Sequence, residues 1–71
     1  MTNDEPRIGS IIYDARKKSN LTQCQLSEKI GIAQCDISRI ESGKANPSIK
    51  TISRIAAGMG MRVRIEFLKA K

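Results

Sequence analysis

The chain has 71 residues, which is enough for one domain with a small core and too few to enclose a catalytic pocket. Thirteen Lys and Arg residues against seven Asp and Glu residues give a formal net charge of +6, which suits a polyanionic partner without proving one. The lack of histidine argues against a metal site, and no apolar run approaches the roughly 20 residues of a membrane span.

The sequence offers no catalytic constellation. It has no histidine and no paired carboxylates that would flank a pocket, so we predict a protein that is not an enzyme and binds no cofactor or metal. The polar start lacks a signal-peptide pattern, which predicts a cytoplasmic protein. In a reducing cytosol, Cys24 and Cys35 are expected to be free thiols.

The chain begins with a polar arm, followed by an amphipathic helix. Residues 1–6 lack periodicity and are predicted to be flexible. From about Arg7, apolar side chains recur at helical spacing. The predicted apolar face consists of Ile8, Ile11, Ile12 and Ala15. The helix ends in the basic run Arg16, Lys17 and Lys18. Such a run complements the negative end of the helix dipole.

The stretch from Leu21 to Lys44 is predicted to form two short helices joined by a tight turn. Asn20 suits a left-handed connection into this stretch. Thr22 can cap the second helix, and Gln25 completes a capping box. Gly31 can adopt the left-handed conformation that ends this helix and redirects the chain. The predicted inward positions are Leu26, Ile30, Ile37 and Ile40.

The third helix is predicted to run from Gln34 to Glu41, with a polar face near its start. Its outward side chains are Gln34, Cys35, Asp36, Ser38 and Arg39. In a helix that enters the major groove by its N-terminus, glutamine can pair with adenine and arginine with guanine. Ala33 occupies the cap position without a hydroxyl, so a weak helix start is expected. Asp36 either accepts from a cytosine amino group or caps its own helix, and the capping role is favoured.

The remaining chain is predicted to form a loop, a fourth helix and a strand. Gly43 can end the third helix, and Pro47 followed by Ser48 signals the start of the fourth. The buried stripe of the fourth helix is predicted to be Ile49, Ile52, Ile55 and Ala56. After Gly60 the pattern alternates, which predicts a strand. The apolar face of this strand consists of Met61, Val63, Ile65 and Phe67.

A lone strand needs a partner for its backbone, and no other segment has a strand pattern. The same strand from a second copy is therefore the natural partner. The competing interpretation is an amphipathic tail that folds back unpaired or binds another protein. The predicted organisation is a flexible arm at 1–6, a helical domain at 7–60, and a dimerisation strand and tail at 61–71.

Between Ile8 and Gly60 the chain resembles the Cro/phage-repressor (XRE) family of helix-turn-helix DNA-binding domains. The resemblance is carried by Leu21-Thr22-Gln23, Leu26-Ser27, Lys29-Ile30-Gly31-Ile32, Gln34, Ile37-Ser38-Arg39-Ile40-Glu41-Ser42-Gly43-Lys44, Pro47-Ser48 and Ile55-Ala56. It implies a mainly α fold, a lambda-repressor-like bundle of four short helices, here with a C-terminal β-strand that pairs across a dimer.

The resemblance also implies a role for particular residues. The implied base contacts are Gln34, Cys35, Ser38 and Arg39. The implied contacts to the DNA backbone are Thr22, Gln23, Lys44 and Asn46. Arg16 and Glu41 match a pair that ties the first helix to the end of the third. The sequence departs from the family at Ala33, where Ser or Thr is usual. Asp36 is unfavourable for a different reason, because a carboxylate close to phosphates is repelled unless it accepts a hydrogen bond from a cytosine amino group.

These features predict a sequence-specific DNA-binding transcriptional regulator, a repressor that binds a palindromic operator as a homodimer. A compact XRE domain followed by a strand also resembles the antitoxins of toxin–antitoxin operons, which repress their own promoter and hold a toxin protein. The alternative from a different class is a protein-interaction adaptor, or a toxin-neutralising module, with weak or no DNA binding.

Overall fold

In a computed structural model of the chain, which describes residues 8–64 and 67–69, four helices occupy the first part of the sequence. Their bounds are α1 Ile8–Lys18, α2 Gln23–Ile30, α3 Gln34–Glu41 and α4 Ile49–Gly58. The prediction of a mainly α fold with four short helices is confirmed. The predicted arm at 1–6, and Arg7 at the expected start of the first helix, lie outside the described residues.

Local capping signals set the starts of α2 and α4. The Thr22 hydroxyl accepts from the Gln25 amide at 3.0 Å, and the Gln25 side-chain oxygen accepts from the Thr22 amide at 2.8 Å. This is the predicted capping box. Ser48 caps α4 by accepting from the Thr51 amide at 3.1 Å.

Left-handed residues make the connections between helices, as predicted. Asn20 has φ 59° before α2, Gly31 has φ 72° at the turn between α2 and α3, and Gly43 has φ 82° after α3. The turn at Gly31 is closed by the Ser27 hydroxyl, which donates to the Ile32 carbonyl at 2.6 Å. These contacts set the direction in which α3 leaves α2.

All four helices contribute to one small core. Its buried side chains are Ile12, Leu26, Ile37, Ile40 and Ile55. Helix packing is closest at two glycines. A Cβ atom on Gly9 would overlap the Ile40 carbonyl oxygen, and one on Gly58 would overlap the Ile30 side chain. The α1–α3 and α2–α4 contacts therefore leave room at these two positions for glycine, which has a hydrogen atom in place of a side chain.

The predicted apolar faces were partly wrong. Ile8 is 36% exposed, Ile11 is 47% exposed, and Ile49 is 61% exposed. Helical spacing gives the direction of a side chain around the helix axis, but not whether a neighbouring element covers that level of the helix. Ile49 lies in the first turn of α4 and is exposed, whereas Ile52 and Ala56, three and seven positions later on nearly the same side of the helix, are half-buried.

The residues of the predicted strand that the structure describes do not form a strand in the single chain. Residues 61–64 and 67–69 have neither helical nor strand structure, and Ile65 lies outside the described residues. The Met61 amide donates to the Ala56 carbonyl at 2.8 Å, which fastens the start of this segment to α4. Pairing with a second copy stays a prediction. Across the described residues, no helix has the length and apolarity required to cross a membrane.

Candidate nucleic-acid interface

The outward face of α3 forms a polar surface on a buried apolar base. Ile37 and Ile40 are 0% and 5% exposed, and they fix the rotation of the helix about its own axis. The five remaining polar positions of the first turns are all exposed, namely Gln34, Cys35, Asp36, Ser38 and Arg39. We call this set the α3 face.

The start of α3 has no side-chain cap. Ala33 stands at the cap position with φ −57° and ψ 141°, and only its carbonyl takes part, accepting from the Asp36 and Ile37 amides at 3.0 and 3.1 Å. Within the described residues the Asp36 carboxylate makes no hydrogen bond to its own helix, so the favoured capping role of Asp36 is not realised. Amide groups at the positive end of the helix dipole therefore remain available to an anion.

Beneath the α3 face, a buried ion pair joins α1 to the end of α3. The Arg16 guanidinium donates twice to Glu41, from Nε to Oε2 at 2.7 Å and from Nη2 to Oε1 at 2.9 Å. A third bond runs from Arg16 Nη1 to the Leu21 carbonyl at 2.8 Å. The Gln23 amide donates to Glu41 Oε1 at 3.0 Å, so three helices meet at one carboxylate.

The pairing shifts the pKa of both partners. The hydrogen bond to Glu41 raises the pKa of Arg16 more than burial lowers it. Burial pushes the pKa of Glu41 upward, but hydrogen bonds from Arg16 and Gln23, together with the Arg16 charge, outweigh it and leave this pKa below its ordinary value. Both groups are therefore charged near neutral pH.

On the α2 side of α3, predicted base and backbone contacts lie around one concave surface. This surface encloses a volume of about 440 Å³. It is lined by Thr22, Gln23, Cys24 and Gln34 and by Lys17 from α1. Gln23 is half-buried, and the other four are exposed. The structure thus places a predicted base contact, Gln34, beside the predicted backbone contacts Thr22 and Gln23.

On the opposite side, the loop after α3 carries the remaining predicted backbone contacts. Lys44 and Asn46 are both exposed. The Lys44 amide donates to the Arg39 carbonyl at 2.8 Å, so this loop is tied to the end of the α3 face. Asn46, Asp36 and Arg54 line a second concave surface, which encloses a volume of about 430 Å³.

A family model described as helix-turn-helix matches residues 12–65, which include the whole of α2, α3 and α4. The chain belongs to the XRE-type helix-turn-helix family. The family assignment expected from the α2–α3 sequence is therefore confirmed.

Relatives of this helix-turn-helix domain include proteins of a phage and of an archaeon. The ImmF control region 10 kDa protein of Bacillus phage phi105 is 40% identical over 53 residues, which are 75% of this chain and 59% of that protein. The immunity repressor protein of the same phage is 36% identical over 56 residues, which are 79% of this chain and 39% of that protein. An uncharacterized HTH-type transcriptional regulator of Methanocaldococcus jannaschii is 38% identical over 53 residues, covering 75% of this chain and 80% of that protein.

The family is one of DNA-binding domains, and two of these relatives are named as a repressor and as a transcriptional regulator. The domain spans 59% and 39% of the two phage proteins. In the described part of the chain, no cluster of three or more His, Cys, Asp or Glu side chains is arranged to hold a metal ion.

Two further residues of the helix-turn-helix domain are placed by tertiary contacts. The basic run at the end of α1 was explained by the helix dipole, but Lys17 also lines the surface that holds Gln23 and Gln34. Arg54 of α4 lies outside the predicted buried stripe of that helix, and its Nη2 donates to the Ile30 carbonyl at the end of α2, at 2.5 Å. A contact between α2 and α4 leaves no signal in local sequence.

Two of the predicted dimer-strand residues, Met61 and Val63, line a groove between α1 and α4 to which α3 contributes no residue. Met61 is 39% exposed and Val63 is half-buried. Phe67 is 99% exposed. Ile65 lies outside the described residues.

Proposed function

We propose that this helix-turn-helix domain is a sequence-specific DNA-binding transcriptional regulator that acts as a repressor. The observation that carries the proposal is the α3 face, whose exposed polar side chains stand on the buried Ile37 and Ile40. A helix oriented in this way can enter the major groove by its N-terminus. The names of the relatives, transcriptional regulators and an immunity repressor, support the same function.

The residues divide into those that read bases and those that set position. Base contacts are assigned to Gln34, Cys35, Ser38 and Arg39. Backbone contacts are assigned to Thr22, Gln23, Lys44 and Asn46. Arg39 has the bidentate donor pattern that guanine accepts at O6 and N7, whereas Lys44 neutralises phosphate without regard to sequence.

Repression requires two copies of the α3 face in a fixed relation. In the proposal, the segment from Met61 to Phe67 pairs with the same segment of a second copy and generates a two-fold axis. The two α3 helices then enter successive major grooves, about 34–36 Å apart, on a palindromic operator. A dimer bound over a promoter excludes polymerase.

Selection of bound duplexes from a random library tests this function, followed by titrations of three variants at several salt concentrations. Arg39→Ala is expected to lose preference at one base position and about 1–3 kcal/mol of binding free energy. Lys44→Ala is expected to weaken all sequences evenly and to lower the salt slope by about one unit. Ser53→Ala, on the exposed side of α4, serves as the control and should bind like the parent chain.

Even weakening by Arg39→Ala on every sequence would contradict its assignment. Enrichment of no sequence, with no binding at low salt, would favour the adaptor function instead. That second candidate is supported by Asp36, because its exposed carboxylate repels phosphate unless it meets a cytosine amino group. The antitoxin version adds a toxin partner, and co-purification with the product of a co-transcribed gene tests it.

A further inference from the structure

Among the described residues, the two most exposed large apolar side chains lie next to each other in the C-terminal segment. Phe67 is 99% exposed and Leu68 is 83% exposed. Phe67 is the only phenylalanine of a chain that has no tryptophan. Adjacent large apolar groups left in water mark a surface that another molecule covers.

A groove between α1 and α4 has the complementary chemistry. It has a volume of about 220 Å³, and its lining is largely apolar, with Ile11, Ala15, Ile52, Ile55, Met59 and Val63 among the side chains that form it. An apolar cavity of about 150 Å³ is large enough for benzene, so a phenylalanine ring fits a groove of this size. We call it the α1–α4 groove.

The chain that borders this groove also has unused backbone groups. The Met61 amide bonds to Ala56, but within the described residues the backbone groups of Arg62 and Val63 make no hydrogen bond. Such an edge accepts a second extended chain. A ring in the groove and a strand along this edge would be supplied together by one extended segment.

We infer that the α1–α4 groove receives Phe67 of a second copy of the chain. Val63 lines the groove, whereas Phe67 of the same chain does not line it and is 99% exposed, so the ring does not fill the groove of its own copy. In a pair of copies related by a two-fold axis, each C-terminal segment lies along the other copy and can supply its Phe67 to the groove there. The inference rests on the homodimer of the proposed function and names the site that holds it together.

Cross-linking in mixed populations distinguishes exchange between copies from a fold-back within one copy. In a Cys24→Ser, Cys35→Ser background, chains with Ile11→Cys are mixed with chains carrying Lys69→Cys, an exposed position two residues after Phe67 that leaves the ring in place, and treated with a short bismaleimide. A covalent dimer of the two chains is expected. Ile49→Cys replaces Ile11→Cys in the control, because Ile49 is also exposed but does not line the groove.

Equal cross-linking of the Ile11→Cys and Ile49→Cys mixtures would overturn the inference. Placing Ile11→Cys and Lys69→Cys in the same chain tests the fold-back directly, since a linked monomer as the only product would also overturn the inference. Circular dichroism of each variant verifies that its helices are retained.

Sedimentation equilibrium adds a measurement on the chain with its native cysteines. Phe67→Ala is expected to weaken self-association by at least about 30-fold with unchanged helical content, because the ring is exposed in the single chain. An unchanged association constant would refute the role of Phe67. Duplex binding by each protein is measured separately, so loss of DNA binding by a chain that still dimerises through the groove would reject the proposed function alone.

Discussion

At the scale of single residues, Glu41 connects the buried interior to the DNA-facing surface. Its carboxylate takes two hydrogen bonds from Arg16 and one from Gln23, a predicted backbone contact. The side chains of Arg16 and Glu41 are 8% and 4% exposed. A pair with so little access to water is costly to break, because either partner alone leaves an unpaired charge in the interior.

Replacing Glu41 should therefore destabilise the fold in a pH-dependent way. The pKa of Glu41 in the folded chain is below its ordinary value of 4.5. As the pH falls, the unfolded chain therefore binds a proton at this carboxylate before the folded chain does. The stability from this carboxylate is full above about pH 4.5 and is lost as the pH falls through the folded-state pKa. We expect Glu41→Gln to cost about 3 kcal/mol at pH 7, with a smaller difference at lower pH.

Urea unfolding of both chains between pH 7 and pH 3 measures this effect. Glu28→Gln provides the control, because Glu28 is an exposed glutamate in α2. A constant difference between Glu41→Gln and the parent chain across this range would contradict the charged pair as its source.

At the scale of helices, local chemistry made the caps and turns predictable from sequence, whereas contacts between helices were not. Thr22, Gly31 and Gly43 each act on residues within a few positions, so their sequence signals are complete. The bond from Arg54 to the end of α2 spans 24 residues of sequence. Exposure of Ile49 likewise depends on what the other helices cover, and spacing along α4 contains no such information.

Adding the missing cap of α3 should stabilise the domain. In Ala33→Ser the new hydroxyl can accept from the Asp36 amide, as the Ser48 hydroxyl does from the Thr51 amide. We expect a gain of about 0.5–2 kcal/mol in the free energy of unfolding. Ser48→Ala gives the matched reverse change, a loss of similar size. Thermal and urea unfolding check both, and destabilisation by Ala33→Ser would mean that the backbone at this position cannot present a cap.

At the α2–α4 contact, packing and helix propensity predict opposite effects of Gly58→Ala on stability. Alanine is the better helix former by about 1 kcal/mol, yet Gly58→Ala should destabilise by about 1–3 kcal/mol because its methyl group meets Ile30 Cγ2. Adding Ile30→Leu removes that branched methyl group and should recover part of the loss. The measurement is a double-mutant cycle by urea unfolding, and a neutral or stabilising Gly58→Ala would show that the two helices can separate at no cost.

At the scale of the whole molecule, the small core would make the proposed association important for stability. Domains of this size draw roughly 3–5 kcal/mol from a single core, so the second copy of the proposed dimer would add a substantial share. The sequence pattern indicated a strand that pairs between copies, but one chain cannot display a structure that two chains form. The α1–α4 groove depends on how α1 and α4 lie relative to each other, which the spacing of residues along either helix does not determine.

The thermal midpoint should therefore depend on protein concentration. For the proposed dimer, raising the concentration shifts the equilibrium toward folded pairs by mass action, so the midpoint rises. A chain that ends at residue 60 keeps all four helices and should lose this dependence. Scanning calorimetry over a hundredfold range of concentration tests both chains, and an identical dependence in the shortened chain would place the association elsewhere.

The positions of the two thiols have a practical consequence. Cys24 and Cys35 are both free and exposed, one on each helix of the α2–α3 motif, and Cys24 shares a concave surface with Gln34. Duplex seated on the α3 face would shield them from alkylation. The rate at which a maleimide dye labels the unaltered protein would therefore report the fraction of protein bound to duplex. Mass spectrometry can measure this rate without any engineered probe.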